Sequence, residues 1–197
     1  MVAELRYIIF GSGGMAKELI GYVLDDGHEV AGLVSSEPFD WYPVLEKAPK
    51  IDGARYLLAV SDPETKRNVV QENDDLWDSF FHSSCYVSRH SKIGRGTILA
   101  PQSIVAGDAE LGNFVFFNTN ATVGHDSKIG AFTSLMPNAE VCGDCDIGED
   151  VLIGIGAYIL PGRKVGNGAR VSAGAMVRHN VQEKETVYGD PAKPKAA

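Results

Sequence analysis

His125 is followed directly by Asp126, and a histidine beside a carboxylate can move a proton at neutral pH. A neutral imidazole can take a proton from an amine or a hydroxyl, while the carboxylate orients the ring and raises its basicity. On spacing alone, a solvated surface histidine fits as well. Gly11-Ser12-Gly13-Gly14-Met15 lies between an apolar run and a helical pattern. Backbone N–H groups at such a helix start can meet a phosphate, and a tight turn with no ligand fits the same residues. Cys142-Gly143-Asp144-Cys145 has C-x-x-C spacing. A lone pair is half a zinc site, and the redox form needs a helix start that the surrounding pattern forbids, so these read as core and turn cysteines.

The elements that position these residues follow from a repeat. From Val87 to Gln182 the chain divides without insertion into sixteen six-residue units, from Val87, Ile93 and Leu99 through to Val165, Val171 and Val177, and every first residue is apolar. At 44% apolar composition, chance agreement over a fixed register is ~2 in a million. Glycine holds the second position in seven units: Gly94, Gly112, Gly124, Gly130, Gly148, Gly154 and Gly166. The fifth position is Ser, Thr, Ala, Cys or Val in every unit but one, which has Arg163.

A period of six matches no helix face and is a multiple of the strand period, so short strands joined by tight turns are expected. The aliphatic position would fill a narrow prism, and the glycines would serve turns with φ > 0. Three units would make one coil, with coils ~4.8 Å apart. His125 is the third residue of its unit and belongs at an exposed corner. His179 lies 54 residues, or three coils, further on. The two are therefore ~14 Å apart and cannot share an ion within one chain. His90 has no close third partner, so no metal site is expected.

Ahead of the repeat, Tyr7-Ile8-Ile9-Phe10 reads as a strand, Met15 to Asp26 as a helix stopped by Gly27, and His28 to Val34 as a second strand. Tyr56 to Val60 reads as a third strand, Pro63 to Gln71 as a helix, and Trp77 to Phe81 as a last short strand. Alternating strands and helices imply a small parallel α/β sheet, too short for a full dinucleotide domain and suited to a mononucleotide-type pocket. The expected fold is thus α/β + β. A small N-terminal Rossmann-like α/β domain over 1–82 precedes a β-helix over 83–197.

Charge narrows the partners. The net charge of −8 argues against nucleic acid, which needs a basic surface. Residues 151 to 197 carry seven Lys/Arg against three acids, a net of +4, which leaves −12 on the remainder. A basic carboxy-terminal third could meet a small polyanion such as coenzyme A, and an ordinary solvated surface fits equally. Only four apolar residues, Tyr7 to Phe10, precede the glycine cluster, so neither a signal peptide nor a membrane span is expected. Three cysteines, Cys85, Cys142 and Cys145, fit reduced thiols in a cytoplasmic protein.

The order of Phe10-Gly11-Ser12-Gly13-Gly14, the linking segment Phe81-His82-Ser83-Ser84-Cys85 and a hexapeptide repeat resembles one family over nearly the whole chain. It is that of the sialic acid O-acetyltransferases and bacillosamine-type nucleotide-sugar N-acetyltransferases. The sharpest match is Asn118-Thr119-Asn120-Ala121-Thr122-Val123-Gly124-His125-Asp126, and the tail Tyr188-Gly189-Asp190-Pro191-Ala192-Lys193 matches the closing segment.

The resemblance implies a left-handed β-helix, a homotrimer, acetyl-CoA as cosubstrate, and a role in glycan biosynthesis. It implies direct acetyl transfer to an amino sugar, with His125 and Asp126 catalytic. Substrate-binding positions would be Gly11, Ser12, Gly13, Gly14, Met15, Ser35, Ser36 and Asn118. Cofactor-binding positions would be Ser134, Gly143, Ile155, Ala173 and Lys193. Ser35-Ser36 replaces the acidic pair that holds the nucleotide in relatives using UDP-sugars, Met15 replaces a histidine in the glycine turn, and Ser134 replaces a second histidine. Which sugar is bound therefore stays open, as do O-acetylation of a hydroxyl and a non-catalytic sugar-nucleotide-binding module.

Overall fold

A computed structural model describes residues 5–45, 51, 53–73 and 76–195. Residues 1–4, part of the stretch read for a signal peptide, lie outside the described residues. The chain is a left-handed parallel β-solenoid preceded by a small sheet with two helices.

In the leading part, β1 (Arg6–Phe10), β2 (Glu29–Val34), β3 (Val44–Leu45) and β4 (Ala54–Leu58) pair in parallel in the order β3-β2-β1-β4. The expected three strands are present within a few residues, and β3 is an addition too short to leave a pattern. Helix α1 (Gly14–Asp25) buries Ala16, Leu19, Ile20 and Val23, the spacing of one helical face, and Gly27 follows at φ +76°. Helix α2 (Pro63–Glu72) starts on Asp62, whose carboxylate accepts the Thr65 N–H at 2.9 Å, with Pro63 in the first turn.

The solenoid follows the six-residue register. Each two-residue strand from Tyr86–Val87 to Met176–Val177 ends on the first residue of a unit. Those residues stack into one dry core that includes Leu99, Phe117, Leu135, Ile153 and Val171, and full burial of each such side chain contributes about 1.5–3 kcal/mol. Strands pair 18 residues apart, three units to the coil, as in Glu110↔Lys128 and Thr122↔Glu140. The period breaks after Val177. Val165 bridges Val181, 16 residues on, so the last of the expected units is cut short.

Two expectations differ from the structure, one on the turns and one on a strand. The second-position glycines do not have positive φ. Positive φ falls two residues later, at the fourth position of every unit from Gly96 to Gly174, on residues including Asp108, Asn120, Asp126 and Asp144. The glycines are required by the neighbouring coil: a Cβ on Gly94 would stand 2.5 Å from the Gly112 carbonyl, and one on Gly154 2.5 Å from the Ala173 nitrogen. The expected strand Trp77 to Phe81 also divides. Trp77 forms only a single bridge to Tyr56, and Phe80–Phe81 is the first rung of the solenoid, paired with Ile98–Leu99. Arg163, the odd residue at a small position, turns its guanidinium to the carbonyls of Pro161 and Arg178 at 3.1 and 3.4 Å.

The prism has three unlike faces. A charged face alternates in sign from coil to coil through Lys92, Glu110, Lys128, Asp146 and Lys164. A mostly apolar face, hereafter the apolar face, carries Tyr86, Ile104, Thr122, Tyr158 and Met176 together with the exposed carboxylate of Glu140. A docking face presents Ile98, Phe116 and Ser134 to the leading part of the chain. There α1 reaches the corner between docking and apolar faces, where the Tyr22 and Thr119 hydroxyls are 3.1 Å apart. Helix α2 reaches the corner between charged and docking faces: Trp77 packs on Phe114, Phe114 stacks on Phe132, and Arg67 donates to both carboxylate oxygens of Asp150. Between them Lys66 is buried, its ammonium donating to the carbonyls of Phe114 and Thr133 and to Ser134 Oγ at 2.8 Å.

Candidate active site

His125 stands on the third corner, between the strand Thr122–Val123 of the apolar face and Lys128–Ile129 of the charged face. Asp126 occupies the positive-φ position at φ +58°, a conformation aspartate tolerates well. There its carboxylate lies 2.8 Å from His125 Nδ1. Because an ionised carboxylate only accepts, Nδ1 carries the proton and Nε2 keeps its lone pair. The hydrogen bond to Asp126 raises the imidazole pKa above its ordinary value, with the charges of Asp126 and Asp144 adding to it. Both residues are exposed, so Nε2 is open to a ligand.

One coil further on, the column continues with Gly143. The imidazole lies on it, Nε2 being 2.6 Å from where a Cβ would stand. The Gly143 N–H donates to no acceptor among the described residues, whereas its carbonyl accepts the Gly162 N–H at 3.0 Å. Asp144 comes next at φ +59°. A nitrogen of His125 and carboxylate oxygens of Asp126 and Asp144 lie within 4.8 Å of one another, a grouping that could also hold a cation. The cysteines flanking this corner are structural. Cys145 is buried with its thiol directed at the Leu160 carbonyl, and burial pushes both the Cys142 and Cys145 thiols up.

The glycine turn lies elsewhere. Gly11 has φ +117°, and a Cβ there would stand 2.8 Å from the Ala59 carbonyl oxygen, so the fold itself demands glycine. Gly13 caps α1 without a side-chain hydrogen bond, and a Cβ on Gly13 or Gly14 would meet nothing within 4 Å. Ser12 Oγ and Ser35 Oγ are 2.7 Å apart, and Ser35 Oγ accepts the Glu37 N–H, which ties the turn to the end of β2. Met15 is half-buried in the first turn of α1, and Ser36 is exposed.

The remaining expected site residues separate. Asn118, nearly buried, uses its Oδ1 to accept the Thr119 N–H at 2.6 Å, on the corner beside α1. Ile155 and Ala173 lie on that same corner, joined by the Gly174 N–H to the Ile155 carbonyl, and both are exposed. Lys193 is exposed in the antiparallel hairpin that closes the chain. Ser134 does not face outward. It is fully buried under α2, where its hydroxyl donates to the Ser61 carbonyl and accepts from Lys66, because the docking face is covered at this coil. Within one chain, then, the expected site residues that come together with His125 are Asp126 and Gly143. The glycine turn, Asn118, Ile155 and Ala173 lie across the prism or along its next corner.

Sequence reasoning missed Asp144 as a neighbour of His125, although the register contained it: Asp144 follows Asp126 by one 18-residue coil at the same turn position. It missed Lys66 because nothing in a helical pattern marks a lysine for burial.

Residues 144–179 match the bacterial transferase hexapeptide family (six repeats). The acetyltransferase domain of PglB from Neisseria gonorrhoeae FA1090 superposes with TM-score 0.90 at 25% identity, over 96% of this chain and 99% of that one. In fold and over nearly its whole length the chain is similar to the bacillosamine-type hexapeptide acyltransferases. PerB from Caulobacter crescentus, in complex with CoA and GDP-perosamine, superposes with TM-score 0.88 at 26% identity, over 100% of this chain and 99% of that one. A curated relative, uncharacterized protein L142 of Acanthamoeba polyphaga mimivirus, is 27% identical over 119 residues, 56% of this chain and 24% of its own length. No described helix is long and apolar enough to cross a membrane.

Proposed function

We propose that the protein transfers an acetyl group from acetyl-CoA to the amino group of a nucleotide-linked amino sugar, with His125 as general base. The observation that carries this reading is the oriented imidazole: Nδ1 is held by Asp126 at 2.8 Å and Nε2 is open at the corner. The likeness to PerB, solved with CoA and GDP-perosamine, supplies the classes of donor and acceptor.

In this mechanism Nε2 takes a proton from the amine as its nitrogen attacks the thioester carbonyl. The oxyanion that forms meets the unpaired Gly143 N–H beneath the ring. Collapse expels the thiolate of coenzyme A, which takes the proton back from His125. Residues 1–82 would act as a Rossmann-like nucleotide-sugar-binding domain, with phosphate at the uncapped start of α1, and 83–197 as the acyltransferase domain. Gly13 and Gly14 support this, because neither is required by the packing of the chain itself.

The site needs a second copy. The glycine turn belongs to the part seated on the docking face, and His125 stands on the corner opposite that face. The apolar face beside His125 leaves Tyr86, Ile104 and Tyr158 between 40% and 60% exposed, which suits burial against a neighbour. A homotrimer would close this association and set one copy's His125 near the next copy's glycine turn, Asn118 and Ile155. The deciding experiment is a screen of GDP- and UDP-linked sugars, with and without a free amine, for acetyl-CoA consumption. Consumption with none of the amines would sink the reading.

A further inference from the structure

We propose that Asp144 selects an amine over a hydroxyl as the acceptor, by taking the second N–H that only an amine can offer beside His125. This rests on the acetyl-transfer reading and names what decides its chemical class.

The Asp126 carboxylate is already committed to Nδ1. The Asp144 carboxylate is exposed and makes no hydrogen bond or ion pair with any described residue, yet it lies in the same 4.8 Å grouping. Nε2, the atom that must receive the proton, rests over Gly143, the residue bonded to Asp144. An acceptor poised at Nε2 therefore has, within reach of the same imidazole, a free carboxylate that lies within 4.8 Å of a ring nitrogen.

A neutral amine in attack position has a lone pair and two N–H groups. The lone pair faces the thioester carbon, one N–H faces Nε2, and the other donates to Asp144 as a charge-assisted hydrogen bond. A hydroxyl has only one hydrogen. With its O–H given to Nε2 and one lone pair to the carbonyl, its other lone pair faces a carboxylate with no proton between them, which is repulsive. During attack the N–C bond forms as one N–H proton passes to Nε2. The C–S bond then breaks, the thiolate takes that proton, and the second N–H remains in the amide product. Asp144 donates and accepts no proton in the balance; it is a specificity residue that touches the acceptor.

The test compares wild type with Asp144→Asn, since asparagine keeps the positive-φ turn and halves the acceptor capacity without removing the side chain. An unchanged thermal midpoint confirms that the variant folds. GDP-perosamine and UDP-linked 4-amino sugars serve as amine probes, and sugars with a hydroxyl at the same carbon serve as counterparts. Expected for the variant is a tenfold or greater fall in kcat/KM on the best amine, carried mainly by a higher KM. The KM for acetyl-CoA should stay unchanged and the hydroxyl counterpart should show no matching fall. Unchanged kinetics on the amine, or an equal fall on both acceptors, would overturn the role of Asp144. Wild-type protein that acetylates none of the amines would instead overturn the acetyl-transfer reading beneath it.

Discussion

Gly143 lies one coil beyond His125, and Nε2 of the imidazole sits 2.6 Å from the place a Cβ on Gly143 would occupy. The ring is thus seated on bare backbone. Gly143→Ala should push the imidazole off its seat while leaving the solenoid intact, because only the mobile end of a side chain has to move. We expect turnover to fall roughly tenfold or more, with the thermal midpoint shifted little. A variant with wild-type kcat would show that the ring position is not set there.

Removing the proposed base should have a larger effect than retuning it. His125→Ala should lower kcat by roughly a hundredfold or more without loss of acetyl-CoA binding. Asp126→Asn should be milder and should move the pH profile. Asp126 raises the imidazole pKa, so with His125 as the proposed base wild-type activity should be lost as pH falls through that raised value and the ring takes up a proton. Loss of the carboxylate lowers the pKa, so the acidic limb should move to lower pH. A limb that stays in place would argue that another group titrates.

The solenoid was legible because a period of six over sixteen units admits few structures, and the buried stack of first residues follows from it. The role of the second-position glycines was not, since a close approach between coils leaves the same residue as a positive φ. His125 and Asp126 were legible as adjacent types. Asp144 needed the 18-residue coil applied as a contact rule, and the burial of Ser134 follows from a helix over its face whose docking no local pattern records.

Gly13 tests the phosphate side of the site. A Cβ there meets nothing within 4 Å, so Gly13→Val should fold normally. It should nevertheless raise KM for the sugar nucleotide and leave that for acetyl-CoA nearly unchanged, because a branched side chain would stand where the phosphate approaches the helix start. Equal effects on both substrates would remove the glycine turn from the site.

Lys66 makes stability depend on pH. Burial drives its pKa from 10.5 down to about 7, against the pull of Asp150 and Asp62. Between about pH 7 and 10 the unfolded chain binds a proton here that the folded chain does not, so this group contributes stability that rises with pH. Below pH 7 the ammonium is charged in both states and its burial cost is fully present. Relative to Lys66→Met, wild type should therefore gain about 1 kcal/mol per pH unit between pH 7.5 and 9 in urea unfolding. A constant difference would mean that Lys66 stays charged in the fold.

A shared site between copies would show in mixed assemblies. His125 and the glycine turn lie on opposite sides of one prism, so a site containing both must draw them from two chains. Ile104→Asp, which replaces an exposed apolar side chain by a second carboxylate on the face that carries Glu140, should dissociate the assembly to monomers and abolish transfer together, as read by light scattering and acetyl-CoA consumption. Mixing gives the sharper result. His125→Ala and Gly13→Val homomers should each be nearly inactive at sugar concentrations well below KM. After co-refolding at equal amounts, a site that takes His125 from one chain and the turn from its neighbour is intact in about a quarter of random pairings, so about a quarter of wild-type activity should return. If each chain held a complete site, mixing would restore nothing, because every chain carries one of the two lesions. Recovery near a quarter, with a mass three times that of the chain, would establish both the shared site and the trimer.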